Sequence, residues 1–436
     1  MTVALARGAR DFLPAQMHAR QRVASILQGV FERFGFEPLN TPAFERIETL
    51  TGKYGDEGEK LMFRILARGK AGQEGKADLA LRYDLTVPLA RVIAMNQDLR
   101  TPFKRWQIAP VWRADRPQRG RFREFVQCDA DIVGTESPLA DAECLAVVHT
   151  ALSELGFNNF LIRLNDRRVL RSMARHAGAH NPKDEVAVLI AVDKLDKVGR
   201  DGVSAELREA GRTDDDIQAL WRVLDVPRGH ESTLDALEAI LDAEGKVGIA
   251  TLREVLRHAL AMGVSPEALV IDPTLARGLD YYTGPVFETE VLEPKIGSIS
   301  GGGRYDGLVG MFSGKPVPAV GVSLGFERLL TVMEELGMLT ADTTSAQVLV
   351  TVFSPDQRDY ALRVTTTLRA AGVRAELYLD DRSVKAQLKH ANARGYPFVA
   401  VAGPSEADSE QVTLKDLRTG TQATVALRDA AAHLLR

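Results

Sequence analysis

Apolar positions along the chain fall into periods that define its elements. Val23, Ile26, Leu27, Val30, Phe31 and Phe34 recur at helical spacing, and Gly35 follows as a stop. The stretch FEPLNTPAFERIE, broken by Pro38 and Pro42, predicts extended chain. LALRYDLTVPLAR predicts strand, turn and helix, with Pro88 in the helix's first turn. FKRWQIAPVWR and REFVQCDADIVG, rich in aromatic and β-branched residues, predict two strands joined by the loop ADRPQRGRF. A helix is expected around Leu145 to Leu155, ended by Gly156. Across 181–262 strand signals nearly vanish, and charged amphipathic patterns such as VSAELREAGRTDDDIQALWRVL predict a helical insertion with its own small core. Strand character returns with PVFETEVLE, a glycine cluster at Gly301 to Gly303, and an apolar segment closing near Leu330. Beyond Gln347, VLVTVF, VRAELYL, PFVAVAG and QVTLKDL are strand-like, with helical stretches near 359–371 and 384–394 separating the first three. That alternation predicts a small α/β domain with a mainly parallel sheet.

Composition narrows the class. The chain has 436 residues, which predicts two or three domains, and its 45% apolar and 26% charged residues suit a soluble globular protein. A net charge of −4 means that any RNA contact must use local basic patches. Cys128 and Cys144, the two cysteines, exclude a disulfide framework and a four-cysteine zinc site; buried thiols in a reducing cytosol are expected. The N-terminal MTVALARGARDFLP has no long apolar core, so no signal peptide is expected. No apolar run reaches the roughly eighteen residues of a membrane span.

Candidate chemistry lies in four segments. Between Arg100 and Glu124 there are eight lysines and arginines against two acids, with Arg113 and Arg123 on the strands rather than at the tip. A planar, permanently charged fork suits phosphates, although a basic hairpin also suits a plain solvated turn. In QCDAD, Gln127, Asp129 and Asp131 alternate and share one strand face. Such acceptors can hold an ammonium or imidazolium, and equally a metal ion or water. In LARGLDYYTGPVFE, Arg277, Asp280, Tyr281 and Tyr282 sit between Gly278 and Gly284. Adjacent tyrosines there can wall a flat ligand, or simply pack a core. SGGGRYDGL supplies backbone that can approach a ligand closely. Walker, GxGxxG, HExxH and paired CxxC patterns are missing, so a nucleotide here needs a fold other than the P-loop or Rossmann type.

Together these segments resemble the histidyl-tRNA synthetase family of class II aminoacyl-tRNA synthetases, in the family's order and over nearly the whole chain. RGARDFLP resembles the N-terminal signature, and FKRWQIAPVWRADRPQRGRFREFVQCD resembles motif 2. RGLDYYTGPVFE and GGGRYDGLV resemble the two histidine-specific motifs, and AVGVSLGFERLL resembles motif 3. The resemblance implies an α+β class II catalytic domain, an antiparallel six-stranded sheet flanked by helices, over 1–180 and 263–335. It also implies a helical insertion over 181–262 and a C-terminal α/β anticodon-binding domain over 345–436. A homodimer is implied, with motif 1 around 36–50 at its interface, in the cytoplasm and without membrane attachment. The implied activity is ATP-driven ligation of histidine to tRNA(His), with Mg²⁺ accompanying the ATP. Carried over residue by residue, Asp84, Leu85, Thr86, Gln127, Asp131, Tyr281, Tyr282 and Tyr305 would hold histidine. Arg113 and Arg277 would be catalytic at the α-phosphate, and Arg121, Arg123 and Arg328 would join them around ATP. A rival reading, the regulatory subunit of ATP phosphoribosyltransferase, typically lacks the intact arginine–tyrosine motif and the C-terminal domain.

Overall fold

The structure, a computed structural model, describes residues 3–52, 61–117, 120–276, 281–339 and 344–435. They fall into two compact units, residues 1–10 with 23–338 and residues 11–22 with 339–436.

In the first unit the strands are β1 (Glu37–Pro38), β2 (Phe44–Arg46), β3 (Arg64–Leu66), β4 (Ala77–Leu81), β5 (Phe103–Trp112), β6 (Glu124–Val133), β7 (Phe160–Asp166), β8 (Leu269–Ile271), β9 (Pro285–Val291), β10 (Ser298–Arg304) and β11 (Ala319–Gly325). Eight of them form one sheet in the order β1-β5-β6-β11-β10-β9-β7-β8. Its six central strands pair antiparallel throughout, as the resemblance implies. Short parallel partners, β1 and β8, extend it at either edge. A separate three-stranded sheet, β2-β4-β3, leads into the helix Thr86–Met95.

The expected hairpin β5–β6 forms with an unbroken ten-residue register. The first helix spans Pro14–Arg33, and its Val23, Leu27, Val30 and Phe31 are buried at the predicted spacing. Helix Pro138–Glu154 starts earlier than the apolar pattern suggested, because Ser137 caps it and Pro138 occupies its first turn. Among the strands outside the sequence reading are β7, β8 and β11. β8 is only three residues long, β11 carries two glycines and is mostly buried, and β7 alternates only in its first half. The glycine cluster Gly301 to Gly303 is part of a strand, β10, within the region where strand character was expected to return.

Helices Pro182–Asp193, Leu195–Glu209, Asp214–Leu224, His230–Ile240 and Ala243–Ala261 follow β7 and the helix Arg167–His176. The last of them packs along the helices Pro138–Glu154 and Arg167–His176, so it shares their core.

The second unit holds β12 (Val348–Val350), β13 (Ala375–Leu377), β14 (Phe398–Val401), β15 (Gln411–Asp416) and β16 (Gln422–Ala426), ordered β13-β12-β14-β15-β16. β12 pairs parallel with β13 and with β14, across the helices Arg358–Ala370 and Val384–Arg394. β15 and β16 pair antiparallel, so the sheet is mixed rather than mainly parallel. The links into these two strands are too short for a parallel crossover.

Candidate active site

Strand register builds the site. Asp131 pairs with Arg105 on β5 and with Gly321 on β11; Asp129 pairs with Gln107 and Ser323; Gln127 pairs with Ala109 and Gly325. Alternation therefore gathers one amide and two carboxylates on a single face. The facing strands are stripped down where room is needed. A Cβ on Gly321 would lie 1.9 Å from Asp131 Oδ1, and one on Gly302 would lie 2.2 Å from the Gly321 carbonyl oxygen. Gly303, at φ +159°, lets the Tyr282 ring pack against its backbone.

Two adjoining cavities open on this face. The first, of about 230 Å³, is lined by Asp84, Thr86, Arg113, Gln127, Asp129, Asp131, Tyr281, Tyr282 and Tyr305, together with Gly301, Gly302 and Gly321. The second, of about 270 Å³, is lined by Arg113, Asp115, Arg121, Phe122, Phe125, Glu327 and Arg328. Arg113, Gln127, Gly301 and Ser323 belong to both.

Polar contacts orient the first cavity. Tyr305 donates to Asp131 Oδ1 from the far wall. Tyr281 donates to the Tyr282 hydroxyl at 2.9 Å, with ring centroids 4.3 Å apart. Gln127 Nε2 donates to Ser323 Oγ at 2.9 Å, while its buried Oε1 has no hydrogen-bond partner among the described residues. Asp84 Oδ1 accepts from the Val87 amide at 3.2 Å, at the start of the Thr86–Met95 helix. Arg113 Nε donates to the Tyr83 carbonyl at 2.9 Å, and its guanidinium lies 5.2 Å from the Phe125 ring centre. Burial pushes Asp129 up to about 7; Arg105 opposes the shift and Asp131 adds to it. Asp131 is also raised by burial, against Arg105 and the Tyr305 hydrogen bond. Burial likewise raises the Tyr282 and Tyr305 phenols, which stay protonated donors at neutral pH.

Around the second cavity, Arg328 donates to the Ser298 carbonyl. Arg10 stacks over the Phe122 ring, 3.2 Å from its centre, and pairs with Glu327 at 2.5 Å. The Arg123 amide donates to the Gly8 carbonyl at 2.9 Å. This N-terminal segment therefore ties the β5–β6 hairpin to the helix Phe326–Glu335.

Most expected site residues meet here. Asp84, Thr86, Gln127, Asp131, Tyr281, Tyr282 and Tyr305 line the first cavity, Arg121 and Arg328 the second, and Arg113 both. Leu85 lines neither; its side chain packs with Ala109 and Val111. Arg123 also lines neither; its Nε donates to the Asp115 carbonyl at 3.2 Å. Arg277 and Asp280 lie outside the described residues. Sequence reasoning did not single out Arg105, Ser323, Phe122 or Glu327. Their places depend on which strands and helices become neighbours, which no local period encodes.

No group of three or more histidine, cysteine or carboxylate side chains able to hold a metal ion occurs among the described residues. None of their helices is long and apolar enough to cross a membrane.

A model of the histidyl-tRNA synthetase family matches residues 8–329, and an anticodon binding domain model matches 347–436. The histidine–tRNA ligase of Cytophaga hutchinsonii is 41% identical over 450 residues, covering 99% of each chain. That of Korarchaeum cryptofilum is 44% identical over 421 residues, covering 95% of each. Among solved structures, histidyl-tRNA synthetase from Nostoc sp. PCC 7120 superposes with a TM-score of 0.88 at 30% identity, covering 100% of this chain and 99% of that one.

Proposed function

This chain belongs to the histidyl-tRNA synthetase family, and on that premise we propose that its adjoining cavities carry out the ATP-driven charging of tRNA(His) with histidine. One observation carries the proposal. An arginine, Arg113, stands in the wall between a cavity lined by acids, an amide and phenols and a cavity lined by arginines. The first suits a zwitterion with an imidazole; the second suits a triphosphate.

Histidine enters the first cavity. Asp84, Thr86 and Gln127 receive its ammonium group, with Leu85 contributing through its backbone. Asp131 accepts from the imidazole N–H, and Tyr281, Tyr282 and Tyr305 wall the ring. ATP enters the second cavity, where Arg121 and Arg328 supply charge for its phosphates, with Arg123 acting from behind the lining through its bond to the Asp115 carbonyl. The histidine carboxylate then attacks the α-phosphorus, forming the mixed anhydride histidyl-adenylate and expelling pyrophosphate. Two anions must approach, so the reaction needs fixed positive charge on the developing phosphoryl oxygens. Arg113 supplies it from one side and Arg277 from the other. In the second step the terminal ribose hydroxyl of the tRNA attacks the adenylate carbonyl, and AMP leaves. A protein nucleophile is not required in either step.

Mg²⁺ fits this site as a companion of the triphosphate. The ion takes most of its ligands from phosphates and water and needs only one or two protein carboxylates. Asp115 and Glu327, which line the second cavity, are the groups that would meet it. When bound, it neutralises charge on the β- and γ-phosphates.

The chain functions in the cytoplasm as a homodimer, with the segment around 36–50 at the interface. Exposed apolar side chains on the two outer strands of the three-stranded sheet, Phe44 and Leu66, support this reading. The catalytic domain covers 1–180 and 263–335; the insertion, 181–262, contacts the acceptor arm of the tRNA; residues 345–436 read the anticodon.

Pyrophosphate exchange with each amino acid tests the activity. Exchange should depend on histidine alone. Arg113→Ala should lower kcat/KM for exchange by about 10²–10³-fold, the usual effect of removing one preorganised charge donor. Exchange with another amino acid, or near-normal exchange in the variant, would overturn the proposal.

A further inference from the structure

Beneath the first cavity lies a cation that lines neither cavity. Arg105 is fully buried, at 0% exposure. Its Nη2 is 2.7 Å from Asp131 Oδ2 and 4.0 Å from Asp129 Oδ2. The same nitrogen donates to the Leu85 carbonyl at 3.2 Å, one residue before the Thr86–Met95 helix. Nε and Nη1 are buried without a hydrogen-bond partner among the described residues.

That arrangement is a poor way to gain stability. Burying a guanidinium with two of its three nitrogens unbonded costs more than an apolar side chain of similar size would. What the guanidinium does achieve is local. Asp84, Asp129 and Asp131 share one buried pocket, burial pushes Asp129 and Asp131 towards protonation, and Arg105, beside both, opposes that push. A protonated Asp131 would lose acceptor capacity for an imidazole N–H. With Tyr305 on Oδ1 and Arg105 beside Oδ2, the Asp131 carboxylate is held from both sides.

We propose that Arg105 is a positioning residue for histidine recognition, fixing the Asp131 carboxylate and, through the Leu85 carbonyl, the turn that carries Asp84 and Thr86. It acts through these groups and does not touch the substrate. The inference rests on the histidine-pocket reading given above.

The test is steady-state pyrophosphate exchange with the full-length protein, titrating histidine and ATP separately. Arg105→Met should raise the histidine KM by about 10- to 100-fold, the range for losing one close charge contact in a buried site. Its ATP KM should stay within about twofold, since Arg105 has no place in the ATP cavity. Arg105→Lys keeps the charge on a shorter side chain whose ammonium falls short of the position of Nη2, and should raise the histidine KM by about three- to tenfold. An unchanged histidine KM in Arg105→Met, or equal rises for both substrates, would overturn the inference. If Arg105→Met fails to accumulate as folded protein, the Lys variant decides, and an unchanged histidine KM there is equally fatal. Wild-type protein lacking histidine-dependent exchange would remove the pocket reading itself; active wild type with unmoved variants would remove only the role of Arg105.

Discussion

Asp129 makes the folded chain sensitive to pH. Its ordinary value of 3.8 rises to about 7, chiefly through burial. The fold therefore prefers the protonated acid, and ionising it costs stability. That cost is absent below about pH 4, grows as pH rises towards 7, and is constant above. Asp129→Asn removes it, so the stabilisation given by the substitution should be larger at pH 8 than at pH 5, by on the order of 2 kcal/mol. Urea unfolding at the two pH values measures this, and equal stabilisation at both would contradict it. Residue by residue, the site was legible wherever one strand's alternation sufficed, as for Gln127 and Asp131. Arg105 was not, because its meaning comes from the β5–β6 register rather than from its neighbours in sequence. In the chain it is one cation of eight in a basic stretch.

At the scale of elements, one buried ion pair joins β10 to the helix Pro138–Glu154. Arg304 Nη2 contacts Asp141 Oδ2 at 2.5 Å, and its Nη1 donates to the Thr135 carbonyl at 2.9 Å. Burial outweighs the pairing and lifts Asp141 to about 6. The adjacent Tyr305 is the group that donates to Asp131, so this junction also aims a site residue. Asp141→Ala removes the nearest carboxylate from a buried guanidinium that keeps Asp306 and two carbonyls, and should cost about 2–3 kcal/mol in urea unfolding; a loss below about 1 kcal/mol would show that the pair is not needed for stability. The elements themselves were unevenly legible. The hairpin β5–β6 and the helix Pro14–Arg33 follow from apolar spacing. β10 and β11 are strands whose glycines give no period-two signal, since their side chains are absent where the cavity needs space. The mixed C-terminal sheet follows from connection length, which the apolar pattern does not report.

At the scale of the whole molecule, every described residue assigned to the two cavities lies in the first unit. The second unit has its own core, centred on Val348, Val350, Val364, Leu368 and Val412. Adenylation and RNA reading should therefore separate. Deleting residues 345–436 should lower histidine-dependent pyrophosphate exchange by no more than about tenfold, while charging of tRNA falls by more than about a hundredfold, roughly 3 kcal/mol of lost contact. A parallel loss of both activities would show that the cavities depend on the second unit.

The pin formed by Arg10 bears on how the chain is made and handled. Arg10 reaches Phe122 and Glu327, two side chains that line the second cavity, yet it precedes the first helix and belongs to no strand. Translation restarting at Met17 would yield a polypeptide that keeps every strand of both sheets in the first unit but lacks this pin. Proteolytic trimming before Asp11 would have the same result. Arg10 is thus part of what holds the hairpin side chain Phe122 beside Glu327, and a change in the segment that carries it should be felt at the second cavity.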